Sequence, residues 1–500
     1  MSPVESGQRD PRAGDLAGES VSDSANAIAN NRRRWLALIV LCLGELMIVL
    51  DTTIVNVALP SIAMDLGFTE TSLVWVVNAY MLTYGGFLLL GGRLGDFYGS
   101  RRMFLAGIGL FTVASLACGL ATSQTLLVIA RAVQGLGGAV VSAVALSLIM
   151  SSFTEAGERA KAMGVYGFVC AGGGSIGVLL GGVLTDSFSW HWVFLVNLPV
   201  GVAIFFLSMA LLEGGEGAQS RERLDVAGSL TITASLMLAV YAIVNGNAAG
   251  WGSQQTVTLG GLAVLLFAAF ITIQAKVRNP LMPLGIFKSR NLSTANVVGI
   301  LFAIAMFAWF FVLALYMQRV LNYSAMQVGL AFLPSNIIMA VCSLGVSAKV
   351  VMRFGIRWPL AAGMLVTAVG LALFAFAPVD GRFAVHLLPG MVLLGLSTGI
   401  SLNPVLLAAM GDVEPEESGL ASGVVNTAFM MGGAVGLAVL VSLADGRTSA
   451  LAASGVDAVN ALAGGYRIAL AGSAIAAALA ALLAAVLIRD DATVRAQAAH

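Results

Sequence analysis

The feature that most constrains this chain is a series of apolar runs, each about twenty residues long. They fall at 35–57, 73–92, 103–122, 125–149, 162–184, 191–212, 226–244, 256–275, 293–317, 326–348, 358–378, 385–409, 418–441 and 467–488. At about 1.5 Å per residue, each can cross ~30 Å of hydrocarbon as a helix. A transmembrane barrel would instead show about ten residues of alternating polarity per strand. Only 10% of residues are charged, against about 25% in soluble proteins, too few to cover a water-facing surface. The expectation is an all-α membrane protein with fourteen transmembrane helices.

Several functions are excluded at this level. Lys+Arg and Asp+Glu are balanced at 26 each, which removes the electrostatic footprint of a nucleic-acid partner. The three histidines, His191, His386 and His500, form no HExxH pattern. None of the four lysines follows a glycine, so no phosphate-binding GxxxxGK[ST] loop exists. Cys42, Cys118, Cys170 and Cys342 lie in apolar runs without CxxC spacing and read as packing residues. No metal site, catalytic group or cofactor is expected.

An even number of spans puts both ends on one side. If that side is cytoplasmic, its segments hold 21 Lys and Arg, and the outer loops hold four: Arg319, Arg382, Arg447 and Arg467. Such a bias sets both termini in the cytoplasm. An internal repeat is visible. Phe97-Tyr98-Gly99-Ser100-Arg101 precedes the third span and Arg353-Phe354-Gly355-Ile356-Arg357 the eleventh, 256 residues later. The repeat maps spans 1–6 onto 9–14 and leaves spans 7 and 8 as a central hairpin. The expected organisation is a disordered tail at 1–34, a six-helix bundle at 35–212, a linker with two extra helices at 213–292, a second bundle at 293–488 and a tail at 489–500. Parallel six-span halves are a transporter arrangement, with the substrate path between them.

Apart from His386 near an outer end, the spans contain three ionisable residues: Glu45, Asp51 and Arg131. A charge at the bilayer centre costs about 2.5–3.5 kcal/mol on insertion scales. Asp51 and Arg131 both lie about 9 Å below the outer boundary and could pair if their helices are adjacent. Such a pair is either a packing device or a proton or substrate site. Glu45 is rotated about 120° from Asp51 on a regular helix. It either binds a cation or a second proton separately, or is a buried neutral acid.

Glycine is abundant, at 58 residues. In span 5, Gly173, Gly177 and Gly181 recur every fourth residue, a smooth stripe for close approach to another span, with Gly182 beside it. The GxGxxG and GxSxG matches there are accidents of glycine density. No strand precedes the first, and no histidine partner suits the second. The segment Gly92 to Arg102 reads as a basic inner loop or as a tight turn with Asp96 held near basic side chains or a helix N-terminus. Trp75, Asn78, Tyr80 and Tyr84 in span 2, Phe307, Trp309, Phe310 and Phe311 in span 9, and Asn336 in span 10 are anchoring or pocket residues.

These residues carry a resemblance. Leu50-Asp51-Thr52-Thr53-Ile54-Val55-Asn56-Val57-Ala58-Leu59-Pro60 resembles the first-span motif of the fourteen-span drug:proton antiporters of the major facilitator superfamily. Gly92 to Arg102 is similar to the superfamily's signature loop, and Arg131-Ala132-Val133-Gln134-Gly135-Leu136-Gly137-Gly138 to its fourth-span motif. Span 5 resembles the antiporter motif, and Trp190-His191-Trp192 through Asn197-Leu198-Pro199-Val200-Gly201 the segment that follows. The likeness implies two six-helix bundles plus a central two-helix hairpin. It implies that Asp51 is the proton-coupling acid, with Arg131 and Glu45 taking part. Gly92, Asp96, Gly99, Arg101 and Arg102 would form a conformational gate, with Asp96 clamped against the start of span 11. The span 5 glycines would form the bending interface between the halves. Asn56, Asn78, Tyr80, Trp309, Phe310 and Asn336 would line the substrate pocket. Phe97 and Ser100 replace usual basic residues, Val178 replaces the usual proline, and Met352 stands where the repeat of Asp96 would be.

The sequence thus leads to a monomeric antiporter in a bacterial cytoplasmic membrane. It would export small amphipathic or cationic drugs for protons and confer resistance. Its rivals are a metabolite facilitator or symporter and, more remotely, a membrane receptor or enzyme.

Overall fold

The computed structural model describes residues 12–153, 155–212, 224–410 and 418–489. The expected C-terminal tail beyond Arg489 and the start of the central linker lie outside them. Among the described residues every regular element is helical. Twelve helices among the described residues are long and apolar enough to cross a membrane. The fifth and tenth apolar runs form α5 (Ala156–Ser187) and α11 (Ala325–Val341), whose described apolar stretches are shorter. A π turn at Cys342–Val346 separates α11 from α12 (Ser347–Phe354).

The first half holds α1 (Arg12–Leu66), α2 (Glu70–Tyr98), α3 (Ser100–Gly119), α4 (Gln124–Ser152), α5, and α6 (Trp192–Leu195) leading into α7 (Asn197–Leu211). The second holds α10 (Arg290–Arg319), α11 with α12, α13 (Arg357–Ala375), α14 (Leu388–Met410), α15 (Ser418–Ala453) and α16 (Ala458–Leu487). Helix α1 starts at Arg12, inside the segment expected to be a disordered tail. No proline follows Pro11 until Pro60, and the apolar span supplies the nucleus from which a helix propagates.

Gly92 to Arg102 is not an extended loop. Helix α2 runs through Tyr98, α3 begins at Ser100, and Gly99 alone makes the corner with φ 91°. Its repeat partner Gly355 ends α12 with φ 77°. Left-handed backbone at both corners explains why the repeat keeps glycine there. We call this corner end of the bundle the near end, and the end where α1 meets α2 the far end.

The two halves meet along α2 with α15 and along α5 with α11. In each case the fifth span of one half touches the second span of the other, as a two-fold relation between halves requires. The hairpin of α8 (Val226–Ala249) and α9 (Gln254–Lys276) packs through α8 on α15 and α2. Asn247 Nδ2 donates to the Ser442 carbonyl (2.6 Å), and Ser442 Oγ donates to the Ile243 carbonyl (3.1 Å).

The glycine stripe of α5 does not form the seam between halves. An added Cβ at Gly173 would meet Val49 at 2.9 Å, at Gly177 the Leu50 carbonyl at 2.9 Å, and at Gly181 the Ile54 carbonyl at 2.5 Å. All three lie on α1 in the same half. Gly182, about 100° further round the helix, faces Ala325 and Met326 of α11 instead. Helix α5 is continuous through Val178, without a proline break.

Candidate functional site

Asp51 sits in the last third of α1 with none of its surface exposed, and Arg131 in α4 is 1% exposed. The depth match read from the sequence holds in space. Arg131 donates to Asp51 Oδ2 at 2.5 Å. Gln134 Nε2 and Asn197 Nδ2 donate to Asp51 Oδ1 at 2.8 and 3.0 Å. Both amides also donate to Ser115 Oγ, each at 3.1 Å, and the Ser115 hydroxyl donates to the Phe194 carbonyl at 2.9 Å. Arg131 donates further to the Val76 carbonyl (2.9 Å) and to Gln134 Oε1 (2.8 Å). Its guanidinium lies 4.3 Å from the Tyr80 ring centre and 5.6 Å from that of Phe194. Side chains of α4 and α7 thus reach the α1 carboxylate directly, and groups of α2, α3 and α6 complete the network around them.

This arrangement answers a severe electrostatic problem. Two charges removed from water each lose several kcal/mol of hydration, and the pair survives only with good geometry and satisfied lone pairs. Both oxygens of Asp51 are occupied here. Gln134, Ser115 and Asn197 were not among the expected site residues. Their signal was the same as that of Asp51, a polar side chain inside an apolar run. Packing alone could show that they share one partner.

Glu45 is 5% exposed and separate from this network, as the helical phase implies. The expected pocket residues divide. Asn56 Nδ2 turns back to the Thr52 carbonyl (3.2 Å). Asn78 Nδ2 crosses to the Ala434 carbonyl of α15 (2.9 Å) and so joins the halves. Tyr80 belongs to the Arg131 site. Trp309 and Phe310 form an aromatic cluster with Phe332, with ring centres 4.5 to 5.7 Å apart. Asn336 lies one turn along α11 from Phe332. Its amide nitrogen and oxygen and the Trp309 indole nitrogen are all buried without a hydrogen-bond partner.

The expected gate is not assembled. Asp96 is exposed and, among the described residues, makes no hydrogen bond or ion pair. The physical reason is which helices the second span touches. Helix α2 lies on α15 and has no substantial contact with α13, so a clamp from Asp96 to the start of α13 has nothing to close on. Arg101 instead donates to the Met209 carbonyl at 2.5 Å, at the end of α7, and Arg102 is exposed. Gly92 has only Ala143 within 4 Å of an added Cβ, at 3.9 Å.

The seam is closed toward the far end. Glu70, in the first turn of α2, accepts from Arg319 of α10 and from Tyr466 Oη of α16 (2.9 Å). Asp186, at the end of α5, caps the N-terminus of α11, accepting from the Ala325 and Met326 backbone N–H groups at 3.2 and 2.8 Å. Gln318 Nε2 donates to the Val57 carbonyl at 3.0 Å. Toward the near end, nothing lies within 4 Å of an added Cβ at Gly164 and Gly167 of α5 or at Gly345 of the π turn. Replacing Glu70 with glutamine is expected to loosen the far end. A half-buried ion pair contributes about 1 kcal/mol, or roughly fivefold in a two-state equilibrium. Labelling of a cysteine at Ala444, in the small cavity beside Glu70, by a membrane-impermeant thiol reagent should rise by about that factor.

Residues 41–437 match the Major Facilitator Superfamily profile. The chain is 39% identical over 472 residues to the puromycin resistance protein pur8 of Streptomyces alboniger, covering 93% of each chain. It is 38% identical to the cephamycin export protein CmcT of Amycolatopsis lactamdurans, over 83% of this chain and 85% of that one. It is 34% identical to a lincomycin resistance protein of Streptomyces lincolnensis, over 84% and 86%. Among solved structures, the nucleoside transporter NupG aligns with a TM-score of 0.63 over 90% of this chain and 99% of its own, at 12% identity. That likeness concerns the fold alone.

Proposed function

The chain belongs to the major facilitator superfamily, which makes it a membrane transporter and not an enzyme, and from that premise we propose that it exports drugs or antibiotics from the cell in exchange for protons. The observation that carries the proton half of this reading is the Asp51 carboxylate, fully buried between Arg131, Gln134 and Asn197. The drug half is supported by the relatives, which are named for resistance to or export of antibiotics.

The site can couple proton and substrate through its hydrogen bonds. Ionised, Asp51 accepts from Arg131, Gln134 and Asn197 at once. Protonated, one of its oxygens becomes a donor. That oxygen then faces N–H groups that are donors too, and the Coulombic hold on Arg131 is gone. The helices that carry these side chains, α1, α4 and α7, lose their common anchor and are free to shift. Drug binding that favours the ionised arrangement competes with the proton. A ligand shifts such an equilibrium only by its difference in affinity for the two states. In this reading all fourteen apolar runs span the cytoplasmic membrane of a bacterium, a single chain suffices, and both termini are cytoplasmic. The near end faces the cytoplasm, so the closed far end is the outer gate. The aromatic cluster of Trp309, Phe310 and Phe332, with the unsatisfied amide of Asn336, offers a surface for amphipathic compounds.

Efflux of a fluorescent drug from cells expressing the protein tests the reading. Uncoupling the membrane should lower the export rate more than about tenfold, since the gradient is the driving force for a coupled antiporter. Export that continues at the same rate under the uncoupler overturns proton coupling.

A further inference from the structure

Both oxygens of the Asp51 carboxylate face donors only. Oδ2 receives Arg131, and Oδ1 receives Gln134 Nε2 and Asn197 Nδ2. An ionised carboxylate only accepts, so this set suits it. A protonated carboxyl carries one O–H donor and needs an acceptor. Asp51 has no exposed surface, and a buried donor left unpaired is costly. The network itself must supply that acceptor.

The network holds three other side-chain oxygens. Gln134 Oε1 already accepts from Arg131 at 2.8 Å and from Cys118 Sγ at 3.6 Å. Turning that amide would set its NH2 group against the guanidinium. Ser115 Oγ accepts from both amides, and its one proton goes to the Phe194 carbonyl. Asn197 Oδ1 accepts no hydrogen bond among the described residues, while Nδ2 of the same side chain makes two. Asn197 opens α7 directly after the turn at Val196. Half a rotation about its terminal torsion exchanges oxygen and nitrogen without moving the backbone. Oδ1 would then stand where Nδ2 stands now, 3.0 Å from Asp51 Oδ1 and 3.1 Å from Ser115 Oγ.

We propose that Asn197 is a positioning residue that follows the proton state of Asp51, donating to the ionised acid and, turned by half a rotation, accepting from the protonated one. The proposal rests on the proton-coupled reading and deepens it. A proton from water forms the new O–H bond on Asp51 Oδ1, and no other bond breaks. Ser115 keeps its own proton and swings it from the Phe194 carbonyl to Asn197 Oδ1. The site gains one positive charge. The other ionisable groups facing the acid are Arg131 of α4, Tyr80 of α2 and Cys118 of α3, and none of them exchanges a proton in this step. Helix α5 meets α1 at this level through Gly173 and Gly177, and α6 and α7 carry no ionisable side chain. The consequence for the helices is unequal. The turned amide keeps α7 on α1, and the Coulombic tie to α4 is the one released.

Infrared difference spectra of the purified full-length protein, recorded on acidification, test this. A carboxyl band that Asp51→Asn removes should appear together with a shifted side-chain amide band. Carbon-13 labelling should assign that band to asparagine, and Asn197→Ser should abolish it. In vesicles, Asn197→Ala should lower uncoupler-sensitive export of chloramphenicol about tenfold, the effect of leaving a buried donor unpaired. Exchange of chloramphenicol for chloramphenicol, which uses no protonated step, should stay within about threefold. Asn197→Ser, whose hydroxyl can donate or accept, should recover most of the export. A carboxyl band without the asparagine band in the wild type overturns the proposal and leaves proton coupling standing. Equal loss of export and exchange in a folded Asn197→Ala protein does the same, since a merely structural asparagine would lower both. If that variant does not fold, the wild-type spectrum decides. Absence of the Asp51 carboxyl band overturns the proton reading and this proposal with it.

Discussion

Changing Asp51 to asparagine should abolish uncoupler-sensitive export and also destabilise the protein. The neutral amide cannot take up and release the proton. It also leaves the Arg131 charge, 1% exposed, without a counter-charge. Breaking a buried pair from one side costs about 3–5 kcal/mol, while removing both partners is often close to neutral. The double variant Asp51→Asn/Arg131→Gln should therefore regain most of the thermal stability lost by the single one, measured as melting temperature in detergent. It should regain none of the export. A double variant that exports with full sensitivity to uncoupler would make the pair a packing device, the bland alternative the sequence also allows.

The second large effect is expected at Gly182. Its added Cβ would lie 2.6 Å from the Ala325 carbonyl oxygen and 2.9 Å from Met326 Cα. These are backbone atoms, so no rotamer change relieves the clash. Gly182→Val should prise α5 from the start of α11, release the Asp186 cap on the Ala325 and Met326 N–H groups, and hold the far end open. Overpacking typically costs about 1–3 kcal/mol, and an equilibrium displaced that far lowers export by about tenfold or more. Gly167→Val is the matched control. Nothing lies within 4 Å of its added Cβ, and export should stay within about twofold. Equal loss in both variants would mean that α5 glycines act through helix propensity rather than contact between the halves.

Much of this was legible before any coordinates. Asp51 and Arg131 stood out because charge in an apolar run is expensive enough to require a reason, and helix rise alone set them at one depth. The separation of Glu45 from Asp51 followed from helical phase. What phase could not supply was the partner. Gln134, Ser115 and Asn197 are unremarkable in a sequence that contains other buried amides and hydroxyls, such as Asn56, whose amide is satisfied within its own helix. The gate read from Gly92 to Arg102 failed for a related reason. A motif describes one conformation's contacts, and Asp96 can only be clamped when the opposite half leans toward it.

The sequence by itself determined that the chain is a helical membrane protein and that Glu45, Asp51 and Arg131 lie within its apolar runs. Hydrophobic length, the backbone's need for internal hydrogen bonds in lipid and the cost of a buried charge act locally, so they can be read along the chain. Tertiary structure alone decided which α5 face meets α1 and which meets the other half, and which carbonyl and amide groups complete the Asp51 site. It also decided that the far end is the closed one. Those outcomes depend on how rigid helices tilt and rotate against one another, and no single helix carries that information.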